Sequence, residues 1–438
     1  MPQQPRELTA VESARQSFGA ELRHWRKLRN LSPAKLGAIT NDSGSLIEKV
    51  EKATRRPTRD FAQRMDQALD TGGVLERMWM KMNQPAWQDD SADPLVPDGP
   101  EQGWVGFGEF NPVIEWFAAA RAPEFVGIGR RRIGAADLEI MWSMCGVLTK
   151  ADRHLGGGYA RATLLQFINA TVGPALRGSY TTSTGKQLFT AAARLLNLAG
   201  FMLFDTANQG RAQQYFRRAL QLAKDGDNHA LGAHILTDMA MQAHYVGHPA
   251  EAVAIGEAAV ATAYQTGSPS TAARSNALLA RAHALHGDRI ASDRAIGAAQ
   301  VHLDRARPAD EPEWIRFFTE RQLAAESIYA AHDSGQAAEV RANAPFVLAD
   351  SVGMERRHVL AAATFAGSFL IAGPHTDGVD VEKACEVLTD ALPAACGLTS
   401  SRSIEAINVV RRQLAPYADL PCVQDLEQRY HQTVSMIG

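Results

Sequence analysis

Along residues 13–82 the apolar positions recur with helical spacing. Phe18, Leu22 and Trp25 fall at i, i+4 and i+7, which gives one apolar face to a helix ending near Asn30. Ser32 followed by Pro33 predicts the start of a second helix, because serine caps the free N–H groups and proline tolerates the first helical position. That helix carries Leu36 and Ile39 and stops at Thr40, Asn41 and Asp42. Ser43 predicts the cap of a third helix with Leu46, Ile47 and Val50 inward, and Thr58 that of a fourth built on Phe61, Met65 and Leu69. A further helical turn through Leu75 and Trp79 follows Gly72 and Gly73.

Residues 83–103 lose this periodicity, and their proline, aspartate and glycine read as an extended acidic linker. Beyond them helical patterns alternate with turns to the end, with no convincing series of strands. The text around Leu196, Leu236 and Asn276 repeats itself. In register stand Gly200, Ala240 and Ala280, then Ala212, Ala252 and Ser292, then Ala219, Ala259 and Ala299, so the period is 40 residues. Each unit reads as helix, turn and helix, with small residues where antiparallel helices cross. Weaker units follow at 324–340 and 361–391, and IEAINVVRRQLAPY reads as a closing helix. The expected fold is all-α: a bundle over 13–82, the linker, a helical connector with degenerate repeats over 104–190, and a solenoid of five or six helix pairs over 191–438.

Composition sharpens this picture. A chain of 438 residues with 45% hydrophobic and 21% charged residues has ample core-forming material, and its alanine content favours helices. Cys145, Cys385, Cys396 and Cys422 form no paired motif and read as reduced thiols. The N-terminus has no apolar leader segment, and no run reads as a membrane span, so a cytoplasmic protein is expected. The net charge of −3 conceals an asymmetry. Residues 12–70 hold twelve cations against eight anions, a surplus of four, which leaves −7 for the remainder. A basic head on an acidic body fits contact of the head with a polyanion.

Catalytic and metal readings are weak. TTSTGKQ, ending at Gln187, lacks the first glycine and the final Ser or Thr of a phosphate loop. His244 and His248 have i, i+4 spacing, but Gly247 and Pro249 break the helix between them. The triple glycine at 156–158 has no strand before it and reads as a loop between helices. No enzyme activity, metal or cofactor is expected.

The segment LRNLSPAKLGAITNDSGSLIEKVEKATRRPT resembles the lambda-repressor-like, or XRE-type, helix-turn-helix domains. Gly37, Ile47 and Val50 stand where that family has a small residue and two branched apolar ones. The resemblance implies binding of double-stranded DNA by two copies of the chain, with the third helix as reader. Ser43, Gly44, Ser45, Glu48, Lys49 and Lys52 then fall at the reader, with Lys35, Arg55, Arg56 and Arg59 beside it for phosphates. The family's glutamine at the start of the second helix is Pro33 here, and its turn glycine is Asn41. Gly44 offers no side chain to a base, while Glu48 can accept from cytosine or repel phosphate.

Gly200, Ala212, Phe216 and Ala219 are similar to the series of the tetratricopeptide repeat, whose 34-residue period is stretched here to 40. In such an array the first helix of each pair lines the concave face. That register implies ligand contacts at Arg194, Asn197 and Phe201, at His234, Thr237, Met241 and His244, and at Arg274 and Arg281. A peptide, small molecule or protein is the implied ligand. A solvated face of ordinary packing residues is the competing reading. The layout resembles peptide-sensing quorum regulators, and FDTANQGRAQQYFRRALQLA resembles the repeats of regulators of differentiation and secondary metabolism in high-GC filamentous bacteria. The expected protein is a homodimeric transcription regulator. The alternative is a scaffold or adaptor whose N-terminal bundle no longer binds DNA.

Overall fold

Hydroxyl caps set the first helix starts. In the computed structural model, Ser32 Oγ accepts from Lys35 N at 3.2 Å, Ser43 Oγ from Leu46 N at 3.1 Å and Thr58 Oγ1 from Phe61 N at 3.2 Å. These caps open α2 (Pro33–Thr40), α3 (Gly44–Glu51) and α4 (Arg59–Leu69), which follow α1 (Ala10–Leu28) and precede α5 (Val74–Asn83). The structure describes residues 10–71, 73–83, 96, 103–108, 110–118, 131–351, 353–372 and 378–434. The chain divides into two units, Met1–Ala92 and Asp93–Gly438. The core of the first is Phe18, Leu22, Leu36, Ile47, Val50, Phe61, Met65, Leu69 and Leu75, as the helical spacing predicts.

A carboxylate from α4 holds α5 in place. The buried Asp66 accepts from Leu75 N at 2.8 Å, from Glu76 N at 2.7 Å and from the Thr71 hydroxyl. It thus satisfies two of the free N–H groups at the start of α5. Asp66→Ala is expected to destabilise this unit by about 2 kcal/mol or more, because those donors lose their partner in a buried place. Urea denaturation followed by circular dichroism checks this, and an unchanged midpoint would refute it.

The second unit is a stack of antiparallel helix pairs. After α6 (Pro112–Phe117) come α7 (Ala135–Leu155) and α8 (Gly157–Phe167), which runs through a π turn into α9 (Gly173–Leu176). The repeats follow as α10 (Thr182–Asp205) with α11 (Gln209–Asp225), α12 (His229–Tyr245) with α13 (Pro249–Ala263), and α14 (Pro269–His286) with α15 (Arg289–Leu303). Three more pairs complete it: α16 (Glu320–Asp333) with α17 (Ala337–Ala349), α18 (Glu355–Ser368) with α19 (Val381–Ala395), and α20 (Ser401–Leu414) with α21 (Pro421–Val434). The period of 40 is visible in the second helices, which start at Gln209, Pro249 and Arg289. Just before them Ala207, Gly247 and Gly287 take positive φ at one point of each turn. The aligned small residues are buried at the crossings, and a Cβ on Gly200 would lie 2.7 Å from the Phe216 ring. Helix α21 lies beyond the helix expected to close the array. Among the described residues β pairing is limited to one bridge, between Arg132 and Ser179.

Two expectations need correction. Most of the linker assigned to 83–103 lies outside the described residues, but Val96 is buried in the core of the second unit. The start of the connector at 104–190 is an arm laid across the repeats. Trp104 Nε1 donates to Glu251 at 2.9 Å, Val105 exchanges hydrogen bonds with the Gln213 amide, and Trp116 Nε1 donates to Thr262 at 2.9 Å. Trp116 fits because residue 232 is glycine: a Cβ there would lie 2.1 Å from the indole. Helix α10 is long and apolar enough by length and composition alone to cross a membrane, but 78% of its apolar stretch is buried in protein, as in a core helix.

The array is also closed on itself. Arg356 of α18 bonds Asp152 of α7 and Asp205 of α10, each at 2.9 Å. Ser400 and Arg402, at the start of α20, donate to Asp205 at 2.9 and 2.8 Å. The triple glycine is the seat of this closure. Gly158 N donates to Thr399 O at 3.0 Å, Thr399 N to Leu155 O at 2.9 Å and Gly157 N to Asp205 at 2.9 Å. A Cβ on Gly157 would lie 2.7 Å from the Met202 carbonyl oxygen, so the close approach requires glycine.

Candidate functional site

In the first unit, α2 and α3 meet across a tight turn. Asn41 closes α2 in the left-handed conformation at φ 55°, and Asp42 N donates to Gly37 O at 2.9 Å. A Cβ on Gly37 would lie 2.4 Å from the Asp42 carbonyl oxygen, which is why this position must be small. Ile47 and Val50 are buried and fix the rotation of α3. Ser43, Ser45, Glu48, Lys49 and Lys52 therefore face solvent, as does Lys35 near the start of α2.

Gly44 has a different reason from base contact. A Cβ there would lie 3.0 Å from Ala34 N and Cα, so this glycine lets the starts of the two helices touch. Glu48 Oε2 lies 3.7 Å from Lys52 Nζ, one turn on, and both side chains are exposed. Such a pair contributes little to stability but offsets charge on the exposed face of α3.

The cations of this unit divide into two sets. Arg26 is buried, forked onto Glu51 at 2.5 and 2.8 Å and bonded to Leu31 O, and the Glu51 hydrogen bond raises its pKa. Arg64 is forked onto Asp42, Arg59 lies 3.1 Å from Glu76, and Arg29 bonds the carbonyls of Leu69 and Asp70. These four brace the bundle, so Arg59 leaves the set expected to meet phosphate. Lys35, Lys49 and Arg55 have no carboxylate partner among the described residues, and Arg56 is exposed beside them in sequence. After α3 the chain turns at Ala53, φ 57°, and Thr54 N and Arg55 N both donate to Lys49 O. This folds Arg55 back over the end of α3. Exposed cations on a helix and the loop after it suit phosphate contacts that position a reader helix.

The closed second unit encloses a cavity of about 200 Å³, partly open to solvent. Arg194, Asn197, Phe201, His234 and Met241 line it, with Arg274 and Arg281. His244 lines an adjoining cavity of about 250 Å³. Thr237 lines neither, because its buried hydroxyl bonds Ala233 O at 2.8 Å and Ser275 Oγ at 2.9 Å. Much of the expected clamp is engaged already. Arg194 Nη1 donates to Asn197 at 2.8 Å, Asn197 Nδ2 to Asp238 at 2.7 Å, and Arg274 binds both Asp238 and His234 Nδ1. This ladder ties α10, α12 and α14 together. Burial, and then Arg274, Arg194 and Arg153, push the His234 pKa well below its ordinary value, so the ring is neutral.

The two histidines of the i, i+4 pair have different partners. His244 Nε2 lies 2.9 Å from Asp333, and His248 stacks on Trp104 at 5.7 Å. TTSTGKQ is the capped start of α10, where Thr181 Oγ1 accepts from Thr184 N and Lys186 pairs with Asp227 at 2.7 Å. Sequence reasoning missed Arg153, Asp238, Arg356 and Arg402. Asp238 lies four residues after His234 on the inner face and could have been found from the repeat register. The others come from helices outside the three clear repeats.

The comparisons bear on the first unit alone. A family model described as a helix-turn-helix domain matches residues 17–79. No curated protein and no solved structure matches the chain.

Proposed function

We propose that this protein is a transcription regulator that binds double-stranded DNA through α3 and the loop after it. Its repeat body, tetratricopeptide-like in its small-residue crossings, joins two copies and senses a ligand in its cavity. The observation that carries the reading is the solvent-exposed set Lys35, Lys49, Lys52, Arg55 and Arg56, which surrounds the second helix of a matched helix-turn-helix. A single such domain makes few phosphate contacts, so two copies on a two-fold site are expected. The reading assigns no catalytic step.

The test is gel retardation of duplex fragments from upstream of the protein's own gene. Two protomers per retarded duplex, with affinity falling steeply as salt rises, would support the reading. A second reading, an adaptor that has lost DNA binding, is favoured by Gly44 being spent on packing and by the Glu48–Lys52 pair. Glu48→Gln separates the two. It removes a negative charge from the reader face, so a DNA binder is expected to gain roughly 3- to 10-fold in affinity for nonspecific duplex. An adaptor would show no binding before or after the change.

A further inference from the structure

Building on the sensing half of that reading, we propose that the cavity takes a small organic oxyanion, bound by Arg153 and Arg194 with its apolar part against Leu198 and Phe318. The charges around the cavity support this. Arg274 is paired with Asp238, Arg281 with Glu326 and Asp333, Arg356 with Asp152 and Asp205, and Arg402 with Asp205. Arg357 is paired with Asp350. Arg153 and Arg194 line the same cavity with no carboxylate partner among the described residues.

Arg194 is 6% exposed, spends Nη1 on Asn197, and has no hydrogen-bond partner at Nε. Arg153 lies over the Phe317 ring at 4.8 Å. Burial lowers the Arg153 pKa and the Arg194 charge lowers it further; Asp152 opposes this and Arg356 adds to it, so these guanidiniums stand in one another's field. A desolvated cation with like charges beside it is costly, and an anion entering from solvent relieves that cost. A planar guanidinium matches the two oxygens of a carboxylate or phosphate.

Size and closure define the rest of the ligand. The cavity of about 200 Å³ is smaller than the roughly 300–1,000 Å³ of sites for drug-sized molecules. The Arg356 and Arg402 bonds close the array across this cavity, which suits a compact ligand better than an extended peptide. Leu198 and Phe318 are both buried and supply apolar wall.

The experiment is thermal melting of the full-length protein with millimolar benzoate or phenyl phosphate, with benzamide and matched sodium chloride as controls. At least one oxyanion is expected to raise the Tm by several degrees, with no rise in either control, and the better of the two identifies the anion. Arg194→Gln and Arg153→Gln are each expected to abolish the rise, and Arg153→Gln without ligand is expected to melt at or above wild type. Should Arg194→Gln fail to fold, the benzamide comparison and Arg153→Gln still decide. An equal rise with benzamide, no rise with either oxyanion, or a full rise in Arg153→Gln would overturn the proposal. Gel retardation reads DNA binding separately. Loss of the melting response with DNA binding intact removes this inference alone, and the reverse removes the DNA reading alone.

Discussion

Asp205→Ala is expected to destabilise the repeat body by about 3–5 kcal/mol, the cost of leaving buried cations without their counter-charge. Asp205 is fully buried at the end of α10 and accepts from Gly157 N, Arg356, Ser400 and Arg402. Its removal strands the Arg402 guanidinium, leaves Arg356 with Asp152 alone, and opens the seam that closes the array. Burial alone would raise the Asp205 pKa, but Arg402, Arg356 and the Gly157 N–H together lower it to about 2 from an ordinary 3.8. A carboxylate with a depressed folded pKa stabilises above its unfolded pKa and loses that contribution as pH falls toward the folded one. The contribution is therefore complete at neutral pH and lost on acidification from about pH 4 to about pH 2. Thermal melts of wild type and Asp205→Asn across that range check it: the gap between them is expected to narrow as pH falls. A gap independent of pH would refute the assignment.

Replacing Lys49, Arg55 and Arg56 together with alanine is expected to weaken DNA binding by roughly a hundredfold at physiological salt. Each lost phosphate contact is also expected to flatten the salt dependence by about 0.9 in the log–log slope. None of the three is buried in the bundle, so the fold is expected to survive. Fluorescence anisotropy with a labelled duplex over a series of salt concentrations measures both quantities. The same triple change in an adaptor would alter neither.

The short-range features of this fold could be read from the chain. Ser32, Ser43 and Thr58 announce their helices because a cap needs only a hydroxyl and the N–H three residues on. The repeat could be read because each helix pair has a face that only its neighbour can bury, which places small residues at Gly200, Ala240 and Ala280. Closure could not be read. Arg356 and Asp152 are 204 residues apart, and Arg402 and Asp205 are 197 apart, so no local pattern links them. The triple glycine read as a loop, whereas Gly157 and Gly158 open α8 against Asp205 and Thr399. In α3, Gly44 read only as a position with no side chain for a base, whereas its reason is the backbone of Ala34 packed against it. Most positions of the inward register line the cavity, Thr237 and His244 excepted, and the register missed that Asp238 already engages Asn197 and Arg274.

The central claim is that the exposed cations around α3 hold this protein on particular DNA sites. Capture of fragmented genomic DNA by the purified wild-type protein, with the Lys49, Arg55 and Arg56 triple alanine variant alongside, tests it most directly. The account predicts that wild type enriches a limited set of fragments sharing a two-fold symmetric motif, and that the variant enriches none. Equal recovery by both proteins, or no enrichment by wild type, would contradict it.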